Sequence, residues 1–260
     1  MRKNIGLTII SGLVFAFLFI PLLIIVITSF GEGSTITFPI SGFTLKWYQN
    51  VFQSETFTAS FKVSFQISMI ATVLALLVGI PAAYALSRHS VRGKKLIKGF
   101  FLSPTVVPGI VVGYSLFQFL VISLRIPVFQ GLLFGHFLIS LPYAIRVIGS
   151  SLEQFDFSVE EVAWTLGCSK IKAFFKIVLP NITSGIFASF MLAFINSFNN
   201  IPVSMFLSGP GVRTLPTAIL NYMEYYYDPT VSAVSVLLMI GTIVLMLLIE
   251  KTIGLSSVSK

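Results

Sequence analysis

Charge is scarce in this sequence. Only 10% of its 260 residues are Asp, Glu, Lys or Arg, against roughly 25% in a soluble domain. With 55% hydrophobic residues and a mean hydropathy of +0.94, too little polar surface remains to cover a fold in water. The chain is therefore read as an integral membrane protein. Cysteine is nearly absent. The single Cys168 excludes an internal disulfide and has no partners at metal-ligand spacing. It reads as a small residue in a short helix. Nine acidic residues and two histidines are few for a catalytic constellation. No G-x-x-x-x-G-K-[ST] loop is present, which excludes nucleotide hydrolysis by the usual phosphate-cradling route. No direct or inverted internal repeat of the kind found in many secondary transporters is visible. The chain is thus expected to be no enzyme by itself and to bind no cofactor or metal. Its net charge of +8 raises nucleic acid as a partner. In a membrane chain, however, Lys and Arg gather on cytoplasmic loops, so no nucleic acid is expected.

Long apolar runs dominate what is present. About 20 apolar residues span a bilayer, and six segments qualify: 5–30, 57–86, 98–122, 128–149, 181–207 and 229–250. The first resembles a signal peptide but is about twice the usual length of such an apolar run, so it is read as a retained span. The fourth is the weakest, holding His136 and interrupted by Gly131, Gly135 and Pro142. With the N-terminus inside, thirteen basic residues fall on the cytoplasmic side: Arg2, Lys3, Arg88, Arg92, Lys94, Lys95, Lys98, Arg146, Lys170, Lys172, Lys176, Lys251 and Lys260. Four (Lys46, Lys62, Arg125 and Arg213) fall outside. That asymmetry predicts cytoplasmic termini. In the outer loops, Trp47, Tyr48 and Phe52 read as interfacial anchors, and Tyr222, Tyr225, Tyr226 and Tyr227 as either an aromatic belt or a docking face.

One tract cannot be a span. Between residues 150 and 179 lie Asp156, Glu160, Glu161, Lys170, Lys172 and Lys176. At about 3 kcal/mol for each charge at a helix centre, crossing would cost roughly 15–20 kcal/mol. Ser158 and Glu161 fit a capping box, S-x-x-E, that opens a helix. Val159, Val162, Ala163 and Leu166 then share one apolar face. Gly167 suits a left-handed stop, Ser169 a second cap, and Pro180 the first turn of the fifth span. A helix this short needs something to pack on, either the protein's own surface or a partner.

In the fifth span, Asn196, Asn199 and Asn200 fall at i, i+3 and i+4 on one helical face. Polar residues in hydrocarbon face a bundle interior or a cavity, so this face is read as lining a translocation pathway, with inter-helix hydrogen bonding as the alternative. His136 and Gln118 read as hydrogen-bonded structure, and Lys62, near the outer end of the second span, as snorkelling.

The run Glu161-x-Ala163-x-x-x-Gly167, nine residues, then Ile177-x-Leu179-Pro180 resembles the EAA motif of bacterial ABC importer permeases. Val162 stands where that pattern has a second-position Ala. FLSPTVVPGIVVG (101–113), SGP (208–210) and LP (215–216) look like the spermidine/putrescine-type members. The resemblance implies an all-α integral membrane protein like a type I ABC importer permease: a single domain, 1–260, with six transmembrane helices and a cytoplasmic coupling helix within 150–180. It implies that Glu160, Glu161, Ala163, Gly167, Ile177, Leu179 and Pro180 serve ATPase coupling. It further implies an ATPase subunit dimer holding ATP and Mg, a second permease subunit that is a different homologous chain, an extracytoplasmic solute-binding protein, and residence in the bacterial cytoplasmic membrane. A polyamine is the implied solute. The family's polyamine permeases carry an acidic pair near the Asn199–Asn200 position, where this chain has amides, so another small solute such as an aminophosphonate is the alternative. A secondary transporter or channel is the rival class and would need an intramembrane titratable residue, for which His136 is the candidate.

Overall fold

A computed structural model describes residues 5–90 and 92–253. Arg2, Lys3 and Lys260 of the charge asymmetry lie outside them. Among the described residues the chain is helical, with one isolated bridge between Gly209 and Val212. Contacts divide it into two compact units, Met1–Ala59 with Ala218–Leu245 and Ser60–Thr217 with Met246–Lys260.

Among the described residues four helices are long and apolar enough to cross a membrane, and the number is six if each of two bent helix pairs is one span. In the first unit, α1 (Ile5–Thr28) is apolar on every side, and none of its apolar window is buried by the rest of the chain. At its end, Thr28 Oγ1 meets Ser232 Oγ at 3.1 Å, and Ser29 Oγ meets Tyr48 OH at 2.7 Å. The loop that follows leads into the short helix α2 (Lys46–Gln53). There the anchor reading needs correction. Trp47 is only 5% exposed and donates Nε1–H to Gly31 O at 2.6 Å. Tyr48 likewise turns inward and packs on Phe30, whereas Phe52 is exposed. The polar ends of both rings find partners inside the loop, so neither has to sit at a headgroup layer.

The second unit holds most of α3 (Glu55–Arg88), a helix of 34 residues. The expected third span, 98–122, is not one straight helix. Instead α4 (Lys94–Val106) and α5 (Gly109–Leu116), which continues as π-helical turns over Phe117–Ser123, meet at 93°. Pro108 forces the break: the residue before a proline is driven from helical to extended backbone, and Val107 has ψ 134°.

The expected fourth and weakest span is α6 (Val128–Glu153), an unbroken helix of 26 residues. It is the most buried of the candidate spans, at 61% of its apolar window. Its modest hydropathy follows from facing protein rather than lipid. Ala75, Ala83 and Leu86 of α3 pack on Leu141, Ala144, Ile145, Ile148 and Leu152 of α6 in the main core. Small residues let helices approach closely inside a membrane.

Past α6 come α7 (Ser158–Thr165) and α8 (Lys170–Ala173). The latter runs through π turns (Phe174–Val178) into α9 (Leu179–Asn181). The expected fifth span, 181–207, also requires correction. It begins after a 71° bend as α10 (Thr183–Phe198) and stops at Asn199. A separate short helix, α11 (Pro202–Phe206), follows. Pro180 accordingly lies in α9, ahead of the bend, and not in the first turn of α10. Helix α12 (Leu215–Tyr225) and helix α13 (Thr230–Ile253) complete the chain.

Candidate functional site

The charged tract folds as two short helices joined by a tight turn. Its first cap differs from expectation. Asp156, not Ser158, opens α7: its carboxylate accepts from Ser158 N–H at 2.9 Å and from Ser158 Oγ at 2.8 Å. These bonds, the backbone one foremost, hold the Asp156 carboxyl below the usual carboxylate range. Glu161 does not reach back to close a capping box, because its Oε1 accepts from Arg88 Nη2 at 2.7 Å.

The stop is as expected. Gly167 has φ +84°. Its N–H donates to Trp164 O at 3.0 Å, and Cys168 N–H donates to Ala163 O at 2.9 Å. This pair of bonds is a Schellman motif, which needs a left-handed residue that glycine adopts without a Cβ penalty. Ser169 then caps α8, accepting from Lys172 N–H at 3.4 Å.

Between cap and stop, α7 has two unlike faces. Val159, Val162 and Leu166 are exposed, Leu166 at 82%, and Ile171 (74%) and Phe175 extend the apolar surface onto α8 and the π turns. The opposite face carries Glu160, which is 0% exposed. Its Oε1 accepts from Tyr84 OH at 2.5 Å and its Oε2 from Arg88 Nε at 3.2 Å. The Arg88 guanidinium lies 5.3 Å from the Phe157 ring and 5.1 Å from the Trp164 ring. Of the remaining motif residues, Ala163, Ile177 and Leu179 are half-buried and Pro180 is exposed. Leu179 packs on the main core. Sequence reasoning placed Glu160 in the tract but missed Tyr84 and Arg88. Their one local signal is a Tyr-x-x-x-Arg pair on one face at the end of a span.

The three asparagines do not share one helical face. Asn196, on α10, accepts from Tyr143 OH at 3.2 Å. Asn199 ends α10 and is exposed. Asn200 lies in the break, where its Oδ1 accepts from Val203 N–H at 3.0 Å and so caps α11. Asparagine side chains compete for backbone partners in this way and interrupt helices. His136 behaves as the structural residue expected of it. Buried in α6, it meets Ser197 Oγ at 2.8 Å through Nδ1 and Ser204 Oγ at 2.9 Å through Nε2. It therefore joins the two sides of the break. Ser197 also donates to Ser68 of α3 at 3.2 Å. Gly113 of α5 lies against α11 so closely that a Cβ there would meet Pro202 O at 2.7 Å and Val203 Cα at 3.0 Å.

The profile of the family described as "Binding-protein-dependent transport system inner membrane component" matches residues 75–251. The chain belongs to this family of ABC importer permeases. The permease is 32% identical to the spermidine/putrescine transport system permease protein PotC of Haemophilus influenzae, over 90% of this chain and 91% of that protein. It is 31% identical to the putrescine transport system permease protein PotI of Escherichia coli, over 86% and 82% of the two chains. Its fold matches a crystal structure of a bacterial alginate ABC transporter in complex with alginate pentasaccharide-bound periplasmic protein, at a TM-score of 0.74, 14% identity and coverage of 95% and 92%. An inner-membrane location and an EAA tract are family properties of the permease.

Proposed function

We propose that this permease passes a small polyamine-type solute into the cytoplasm and is driven by a separate ATPase that docks on α7. The observation that carries the docking reading is the split character of that helix. Its ends are closed by Asp156 and Gly167, its charged face is anchored, and Val159, Val162 and Leu166 are left uncovered. Apolar side chains held outward on a capped, charged element suit a groove on a partner. Glu161, exposed at the edge of that face, meets the partner's basic groups, and Gly167 sets the turn that presents the helix.

The assembly in this reading holds an ATPase dimer with its ATP and Mg, a second permease chain and an extracytoplasmic solute-binding protein. The 260 residues act in it as one permease domain with both termini in the cytoplasm. Solute passes the break at Asn196, Asn199 and Asn200, where exposed Asn199 is the contact group. The polyamine assignment rests on relatives named for spermidine and putrescine transport. The amide pair at Asn199–Asn200 favours, as a second reading, a zwitterionic solute such as an aminophosphonate, since a polycation is better matched by carboxylates.

Uptake of labelled spermidine into cells carrying the complete transporter tests both parts. Glu161→Lys and Gly167→Leu are expected to abolish uptake and solute-stimulated ATP hydrolysis while the permease still inserts in the membrane. Normal uptake by both variants would refute the docking role. Uptake of a labelled aminophosphonate by wild type, with no uptake of labelled spermidine, would replace the solute.

A further inference from the structure

We infer that Arg88 is a positioning residue that binds α7 to the cytoplasmic end of α3, so that the two helices move as one body and displacement of α7 is delivered to α3. The inference rests on the reading of α7 as the docking helix for the ATPase, and adds where its motion goes.

Covalently, α7 is attached to α6 and α8. Its link to α3, more than seventy residues earlier in the chain, consists of side chains, and these converge on one guanidinium. Arg88 Nε holds the buried Glu160 at 3.2 Å, and Nη2 holds Glu161 at 2.7 Å. The Phe157 and Trp164 rings flank it. One turn back on α3, Tyr84 OH holds the other oxygen of Glu160 at 2.5 Å, and the Tyr84 ring packs edge-on against Phe174 at 4.8 Å.

A buried ion pair of this kind is a poor source of net stability but a strong determinant of register. Sliding or turning α7 against α3 would take the buried Glu160 carboxylate away from both Tyr84 and Arg88. The planar fork of arginine can serve two carboxylates and two rings at once; a lysine, as a point charge, cannot. The same α3 carries Ser68, which bonds Ser197 beside the α10–α11 break. Twenty residues of one continuous helix, about 30 Å and with Pro81 among them, thus join the α7 clamp to that break.

The test uses the complete transporter in liposomes, with the variants Arg88→Lys and Tyr84→Phe. Spin labels at Thr165 on α7 and Leu77 on α3, both exposed, report the separation of the two helices with and without ATP. In the wild-type clamp the separation is expected to be the same in both states. In Arg88→Lys it is expected to broaden and become nucleotide-dependent. The ratio of solute-stimulated to basal ATP hydrolysis should fall about tenfold, in the range typical of coupling between sites, and Tyr84→Phe should show a smaller loss. A separation that stays narrow and state-independent in Arg88→Lys, or an unchanged stimulation ratio, overturns the inference. Leu166→Glu tests the underlying reading separately. Undiminished co-purification of the ATPase with that variant would refute docking on α7, whereas the label separations would still decide whether Arg88 clamps α7 to α3.

Discussion

Replacing His136 with leucine isolates what the buried imidazole contributes. The ring meets Ser197 Oγ through Nδ1 and Ser204 Oγ through Nε2. Leucine removes both bonds. Inter-helix hydrogen bonds in membranes are worth about 0.6–1.7 kcal/mol each, giving a loss of about 1–3 kcal/mol. Neither serine is orphaned, because Ser197 keeps its bond to Ser68 and Ser204 its bond to Asn200 O. No further desolvation cost arises. His136→Ala removes the same bonds and adds a cavity, for which large-to-small changes cost about 2–5 kcal/mol, so alanine should be the worse substitution. At about 2–4 °C per kcal/mol, thermal unfolding of the purified transporter should drop by about 2–12 °C for leucine and further for alanine. Solute uptake at a permissive temperature should persist in His136→Leu and His136→Gln, since the ring serves to hold two helix ends together. Loss of uptake in both variants at an unchanged melting temperature would refute this and make His136 a chemical participant, as an ion-driven transporter requires. An alanine variant more stable than leucine would refute the packing argument.

Two further outcomes follow from the caps. The Asp156 carboxyl is depressed by the Ser158 amide and hydroxyl, so its contribution is present above the unfolded value, near about 3.9, and is lost as pH falls through the lower folded value. Hydrogen exchange over residues 157–162 should therefore be the same at pH 7 and pH 5 after correction for intrinsic rates, and faster at both in Asp156→Ala; equal exchange in variant and wild type would reject the cap. In a Cys168→Ser background, Asn199→Cys should react with a polar thiol reagent in at least one nucleotide state and Asn200→Cys more slowly, because position 199 is exposed and position 200 half-buried. Protection of Asn199→Cys in every state would remove it from the pathway.

The spans were legible in the sequence because the cost of placing charge in hydrocarbon is large and local. Their bends were signalled less clearly. The proline after Val107 marks one break, but a hydropathy count runs straight through it. In the fifth span the regular spacing of Asn196, Asn199 and Asn200 suggested a continuous helix, where the Asn200 side chain in fact stops one and starts another. The capping box failed for a non-local reason. Ser158 and Glu161 have the right spacing, yet Asp156 takes the cap and Arg88, far away in the chain, takes Glu161. Gly167 was read correctly because a left-handed stop depends on backbone sterics at a single residue. The Tyr84–Arg88–Glu160 contact left only the Tyr-x-x-x-Arg spacing as a trace, because it depends on where two distant helices end in space.

The length of α3 also makes it a ruler. Its 34 residues reach about 51 Å, against a hydrocarbon thickness of about 30 Å. About 20 Å must be taken up by tilt or by emergence into headgroups and water at the two ends. Bilayers that differ by a few ångströms would then change how much of α3 stands clear, but not the register between Arg88 and α7, which is set between protein groups alone. The docking platform would thus be measured from the helix and not from the lipid, leaving its geometry indifferent to the thickness of the membrane that hosts it.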